Sequence, residues 1–272
     1  MQKDFLAGVL GTFRIRNLKR LKRPCDIAWD CEMAFTLDQV VPWGRPFSEY
    51  VRMFALSEAD LQRRIVGVGD GPASFNAELT ARGGTAVSCD PLYQFSADQI
   101  RQRIDEITPI MVRETEANKE EFVWDHFGNP AGLIAARQGA MARFLEDYDS
   151  GKENGRYLNA SLPNLPFNAG EFDLAVCSHF LFLYSQQFSY DFHLEAAQEL
   201  LRVANEVRIF PLLQLGSTPS PYVGRVVETL TAVGHQVMIK TVNYEFQKGG
   251  NQMLRVKNAR SNNAHHYTET VE

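Results

Sequence analysis

The sequence predicts an α/β fold: a mostly parallel sheet covered by helices on both faces and closed by an antiparallel hairpin. Three observations predict it. Short apolar runs that read as buried strands alternate with stretches of helical spacing. Glycines end the first of these runs, Val66-Gly67-Val68-Gly69-Asp70-Gly71-Pro72. An acidic residue, Asp90, stands at the end of the second run, 19 residues after Gly71.

Composition sets the outer limits. The 272 residues are 44% hydrophobic and 22% charged, enough apolar material for a proper core, which excludes a disordered or collagen-like chain. No apolar run approaches the roughly 18 residues that span a bilayer. Four scattered cysteines, without a CxxC pair, suit neither a disulfide framework nor a zinc site, so a reducing, cytoplasmic compartment is expected. The net charge of −5 is unevenly spread. Seven of the 28 basic residues but one of the 33 acidic ones lie in residues 1–23, leaving an acidic body that suits a phosphate backbone poorly.

Residues 1–41 are expected to form a partly disordered extension, its basic run Arg14 to Arg23 a solvated arm or an amphipathic surface helix. The folded domain then spans 42–257. Ser57 and Asp60 have capping-box spacing and start a short helix. Arg64–Val68 is a strand feeding the glycine turn, residues 73–82 have helical spacing, and Thr85–Cys89 is the second strand. Ser96 and Gln99 open a long helix to about Phe122. A Gly128-Asn129-Pro130 break precedes a second helix from Ala131 to about Tyr148. This pair, within about 94–155, is too long for an ordinary strand-to-strand crossover and reads as an inserted helical cap. Arg156–Asn159 and Phe172–Cys177 follow as strands, Leu194–Ala204 as a helix, Glu206–Phe210 as a strand and Tyr222–Val233 as a helix. Gln236–Val242 and Met253–Val256 around Gly249-Gly250 form the hairpin. Residues 258–272 are polar and expected to be disordered.

The chemistry concentrates at the first glycine turn. Glycines there let a backbone approach a ligand, and a carboxylate at the second strand's end can accept both hydroxyls of a ribose. That pairing points to a cofactor containing adenosine. The dinucleotide pattern G-x-G-x-x-G fails at Pro72 and at Ser74, and the G-x-x-x-x-G-K-[ST] phosphate loop is absent. Gly69-Asp70-Gly71-Pro72-Ala73 instead resembles the first motif of class I S-adenosylmethionine-dependent methyltransferases. Asn159-Ala160-Ser161-Leu162-Pro163 and Gly170-Glu171-Phe172-Asp173-Leu174 resemble that family's adenine-side loop and fourth-strand entry, and the final hairpin resembles its reversed last strand. The resemblance covers about residues 64–93 and 156–256. It departs from the family at Gly67, where an acidic residue often stands, and at Asn159, often Asp.

The resemblance implies a Rossmann-like, seven-stranded fold and S-adenosylmethionine as cofactor. It implies that the backbone of Gly69, Asp70 and Gly71 faces the methionine half and Asp90 the ribose. Pro91 and Leu92 would lie near adenine, with Ala160 and Ser161 at its polar edge. Cys177 and Ser178 would line the floor, and His179 would face the acceptor as acid/base residue. Phe180, Tyr184 and Tyr93 belong to a dense aromatic set from which an apolar acceptor pocket is expected. The expected reaction is methyl transfer to an O, N or S atom of a small molecule. Two alternatives stay open: an RNA or protein methyltransferase that uses the basic arm, and a catalytically silent cofactor-binding scaffold. No [DNS]-P-P-[YFW] segment follows the fourth strand, which disfavours methylation of amino groups on bases or glutamine, and no metal-ligand spacing is evident. Trp124-Asp125-His126-Phe127 reads as a lid tip or an interhelical loop.

Overall fold

The computed structural model describes residues 43–259; the basic arm, the rest of the extension to residue 41 and residues 260–272 of the tail lie outside the described residues. A seven-stranded sheet forms the centre. Its strands are β1 (Arg64–Val68), β2 (Thr85–Cys89), β3 (Tyr157–Leu158), β4 (Phe172–Ser178), β5 (Ala204–Phe210), β8 (Gln236–Thr241) and β9 (Gln252–Lys257). Their spatial order is β3-β2-β1-β4-β5-β9-β8. Val66 of β1 lies between Val87 and Ala175 in parallel register. Only β9 runs against its neighbours, pairing antiparallel with β5 and with β8. A small ribbon, β6 (Leu213–Gln214) and β7 (Thr218–Pro219), follows β5.

Strand alternation divides the core. Val66, Val68, Ala175, Cys177, Val207 and Ile209 pack on one face against α6 (Tyr190–Val203) and α7 (Val223–Ala232). Ile65, Leu174 and Val176 face the other way, against Tyr50, Met53 and Phe54 of the segment around α1 (Phe47–Met53) and Phe75 of α3 (Phe75–Ala81). Both capping boxes expected from sequence are formed, at α2 (Glu58–Leu61) and at α4 (Ala97–Ala117).

A helical pair between β2 and β3 comprises α4 and α5 (Pro130–Glu153), with Asn129 capping α5. It joins the domain through Leu92, Tyr93, Met141, Phe144, Tyr148 and Tyr157. Helix α5 runs five residues beyond the expected end at Tyr148, because Gly151 lets it lie directly on Tyr157, where a Cβ would come within 2.3 Å of the ring. Helix α6 starts at Tyr190, four residues earlier than Leu194, since the Ser189 side chain caps it. The β8–β9 connection is not a tight Gly-Gly turn but a ten-residue loop, 242–251. Phe246 of this loop stacks on Phe122 at 4.5 Å, and Phe122 bridges Gln247, so the segment between α4 and α5 holds the loop. Among the described residues, no helix is long and apolar enough to cross a membrane.

Candidate active site

The site begins at the carboxyl end of β1. Gly69 adopts φ +74°, a conformation that L side chains rarely take, and donates its N–H to the Cys89 carbonyl at 2.9 Å. Gly71, at φ +54°, donates its N–H to Asp90 Oδ2 at 2.8 Å. The other Asp90 oxygen accepts Leu92 N–H at 2.8 Å and so caps the short 3-10 turn Pro91–Gln94. Asp90 therefore fixes the glycine turn from across the β1–β2 pair. Each of its oxygens has a lone pair beyond the backbone bond it accepts. Burial pushes the Asp90 carboxyl above its ordinary value, opposed by these two N–H donors. Nothing lies within 4 Å of where a Gly71 Cβ would stand, so the turn is open at that point. Tyr93 supports it from below: its hydroxyl donates to the Gly71 carbonyl at 2.7 Å, and its ring is packed against Phe144, Tyr148 and Tyr157.

The departure at Gly67 has a structural counterpart. A Cβ on Gly67 would fall 1.9 Å from Asp70 Oδ2. The Asp70 carboxylate thus fills the space that a side chain at 67 would take. It accepts the Tyr50 hydroxyl at 2.9 Å and the Ser88 hydroxyl at 2.7 Å. Burial raises its pKa to about 7, against those two donors, with the nearby Asp90 charge adding to the rise.

At the end of β4, Cys177 is fully buried and Ser178 nearly so. Burial pushes the thiols of Cys89 and Cys177 well up, which suits packing and not nucleophilic chemistry. His179 adopts φ +50°, a strained setting for a non-glycine residue, held by its N–H on the Phe210 carbonyl at 2.7 Å. Its Nδ1 lies 3.0 Å from Ser178 Oγ and its ring meets Phe210 edge-on. Burial, then the positive charges of Arg45 and Arg137, hold its pKa well below the usual imidazole value, so the ring is neutral at physiological pH. Phe180 packs on Gly69 and begins an aromatic group with Tyr184, Phe188 and Phe192. On the adenine side predicted from sequence, Ala160 and Ser161 are half-buried, and Ser161 bridges Asn164. The structure thus gathers Gly69, Asp70, Gly71, Asp90, Pro91 and Leu92 at one strand end, and Cys177 to Phe180 at the neighbouring one.

Four residues beside this centre escaped the sequence reading. Residues 43–46 fold onto the glycine turn: Ser74 N–H donates to the Arg45 carbonyl at 3.1 Å, and a Cβ on Gly44 would collide with the Pro72 carbonyl. The chain then enters α1, whose Glu49 is fully buried. Arg137 of α5 forms a bidentate pair with Glu49, its second guanidinium nitrogen 2.9 Å from Oε2, and Tyr244 donates to the same oxygen at 2.6 Å. Burial pushes the Glu49 carboxyl up, but the Arg137 charge and bonds outweigh it and leave the pKa lowered. Arg45 lies at the edge of this group, with Nε 4.0 Å from Glu49 Oε2. The sequence did carry a signal for Arg137. It falls in the apolar stripe Leu133, Arg137, Ala140, Met141, Phe144, Tyr148 of α5, where a charge is out of place unless paired. Among the described residues, no group of three His, Cys, Asp or Glu side chains is placed to hold a metal ion.

The strand order with a reversed strand between β5 and β8, and the glycine turn facing an acid just beyond β2, define a Rossmann-like protein with the class I methyltransferase fold. Within it, the chain belongs to the family of the uncharacterized protein MJ0045 of Methanocaldococcus jannaschii, with 32% identity over 222 residues, 81% of this chain and 97% of that one. No protein-family model matches the chain. Solved structures with some likeness include magnesium protoporphyrin IX methyltransferase from Synechocystis PCC 6803, at 10% identity, TM-score 0.43 and coverage of 78% of this chain and 81% of that one. Another is a SAM-dependent methyltransferase from Aquifex aeolicus, at 15% identity, TM-score 0.37 and coverage of 77% and 87%.

Proposed function

We propose that the protein is an S-adenosylmethionine-dependent methyltransferase whose acceptor is a small molecule. The carrying observation is the Gly71–Asp90 contact at the carboxyl ends of β1 and β2, set in a sheet with this strand order. The residues present fit the cofactor: a left-handed glycine turn open at Gly71, and a carboxylate with acceptor capacity left. The backbone of Gly69 to Gly71 would hold the methionine half and Asp90 the ribose hydroxyls. Pro91 and Leu92 would flank adenine, with Ala160 and Ser161 at its edge. Cys177 and Ser178 would form the floor. When bound, S-adenosylmethionine supplies an electrophilic methyl group on a sulfonium.

The chain's own work is then to orient, dehydrate and manage one proton. Phe180 and Tyr184 would wall the acceptor space, which excludes water and holds the acceptor in line. Tyr93 supports that geometry through Gly71. His179 Nε2 would take the proton of a hydroxyl as its oxygen attacks, or that of an ammonium group before its nitrogen attacks, its other nitrogen being engaged with Ser178. The acidic body of the chain favours a small acceptor over RNA. Calorimetry with S-adenosylhomocysteine tests the cofactor. A cell-extract assay with labelled-methyl cofactor, sorting products into small molecules, RNA and protein, tests the acceptor. Label in RNA or protein alone would overturn the small-molecule reading, and absence of S-adenosylhomocysteine binding would overturn the whole.

A further inference from the structure

The polar group beside His179 carries an excess of positive charge. Arg45 and Arg137 face one carboxylate, Glu49, and Arg137 takes both of its oxygens. Tyr244 bonds Glu49 as a neutral hydroxyl, since burial, then the Glu49 charge, pushes its pKa up. His179 is neutral, and the buried Asp70 is bound to Tyr50 and Ser88. Arg45 is left with one long bond, from a terminal nitrogen to the Trp43 carbonyl at 3.3 Å. Its Nε is buried and, like Nε of Arg137, has no hydrogen-bond partner among the described residues. The Arg45 side chain is 17% exposed, whereas Arg137 and Glu49 are sealed, so Arg45 is the member of the group that a ligand can reach. A guanidinium taken out of water without a counter-charge is unfavourable, and its planar fork matches a carboxylate or phosphate.

We propose that Arg45 binds an anionic group, a carboxylate or phosphate, of the methyl acceptor, with Arg137 adding charge behind it and the anion lying beside His179. The substrate class is therefore a small acid, anchored by its anion while its O, N or S atom meets the methyl group. Glu49 and Tyr244 are positioning residues: they fix Arg137 and leave Arg45 to the ligand. The proposal rests on the methyl-transfer reading only for naming the anion's carrier; the anion site itself is testable without it.

The test is a titration of the full chain with malonate and with inorganic phosphate, with and without saturating S-adenosylhomocysteine. The readouts are the imidazole resonances of His179 by NMR and the melting temperature. The expected result is a saturable shift of the His179 signals toward the protonated position, since an adjacent anion favours the imidazolium, and a rise in Tm with anion concentration. Arg45→Gln should weaken the anion by tenfold or more, and Arg45→Lys, which keeps the charge and loses the fork, should fall between. No saturable shift in the wild-type protein overturns the proposal, as does equal anion affinity in Arg45→Gln. A further arm compares S-adenosylhomocysteine with 5′-methylthioadenosine, which lacks the amino-acid tail. If Arg45→Gln weakens the first and spares the second, the arginine serves the cofactor's own carboxylate and the acceptor proposal is overturned. Wild-type protein that binds anion but not S-adenosylhomocysteine refutes the methyltransferase reading and leaves the anion site standing.

Discussion

Asp90 holds the glycine turn and is also the proposed ribose contact. Its oxygens hold Gly71 and Leu92 in the free protein, and the proposed ribose contact adds charge-assisted bonds. Asp90→Ala is expected to weaken S-adenosylhomocysteine by roughly tenfold or more, while the chain stays folded. Unchanged affinity by calorimetry would remove Asp90 from the cofactor site. His179 is kept neutral by burial and by the two arginines, so a base at this position stays unprotonated below the ordinary imidazole range. The acid limb of the kcat/KM profile should lie below pH 6.5, and His179→Gln should lower kcat by about 100-fold with cofactor affinity within a fewfold. A small rate change with the same profile would leave His179 a shaping role. Asp70 makes a different prediction. Its folded pKa, about 7, exceeds the ordinary 3.8, so the folded state holds the proton more tightly. That contribution to stability is fully present below pH 3.8 and is lost as pH rises through about 7, an effect of at most about 4 kcal/mol. Asp70→Asn should therefore gain stability relative to wild type as pH rises from 4 to 8, read by urea unfolding. A pH-independent difference would show that Asp70 is ionised throughout.

Elements differ in how plainly the sequence announced them. The β1 turn, β2 and Asp90 were legible because their residues are near in the chain and constrained by backbone geometry, which glycine and aspartate report directly. The group at Glu49 was not legible, because its partners come from α1, α5 and the β8–β9 loop. Tyr244 and Glu49 are 195 residues apart, and no local pattern links them. Helix α5 gave half the answer, a charge in an apolar stripe, without the identity of its partner. The energetic consequence belongs to the helix pair. Arg137→Met would strand Glu49 in a fully buried site and should cost about 3–5 kcal/mol in unfolding free energy. Adding Glu49→Gln should return much of that loss, because the stranded charge is gone. If the double variant is as unstable as the single one, α1 and α5 are held by packing and not by the ion pair.

For the whole molecule, the amino-terminal arm stands apart from the body in charge, and the site is roofed by segments that do not belong to the parallel sheet. Residues 43–53, the link 121–127 and the loop 242–251 meet over the strand ends through Arg52–His126, Phe122–Phe246 and Tyr244–Glu49. Among the described residues, the backbone joins between two of them are a single pair, Val123 N–H to the Phe246 carbonyl and Lys248 N–H to the Glu121 carbonyl, which together make the Phe122–Gln247 bridge. Hydrogen exchange should therefore release the amides of Val123 and Lys248 well before those of β1, β4 and β5, in a local opening that leaves the sheet intact. A ligand under the roof should slow that exchange in proportion to its occupancy. If product leaves through the opening of this ten-residue β8–β9 loop, the opening rate sets an upper bound on turnover; turnover faster than opening, read under conditions where every opening leads to exchange, would show that ligands travel by another door.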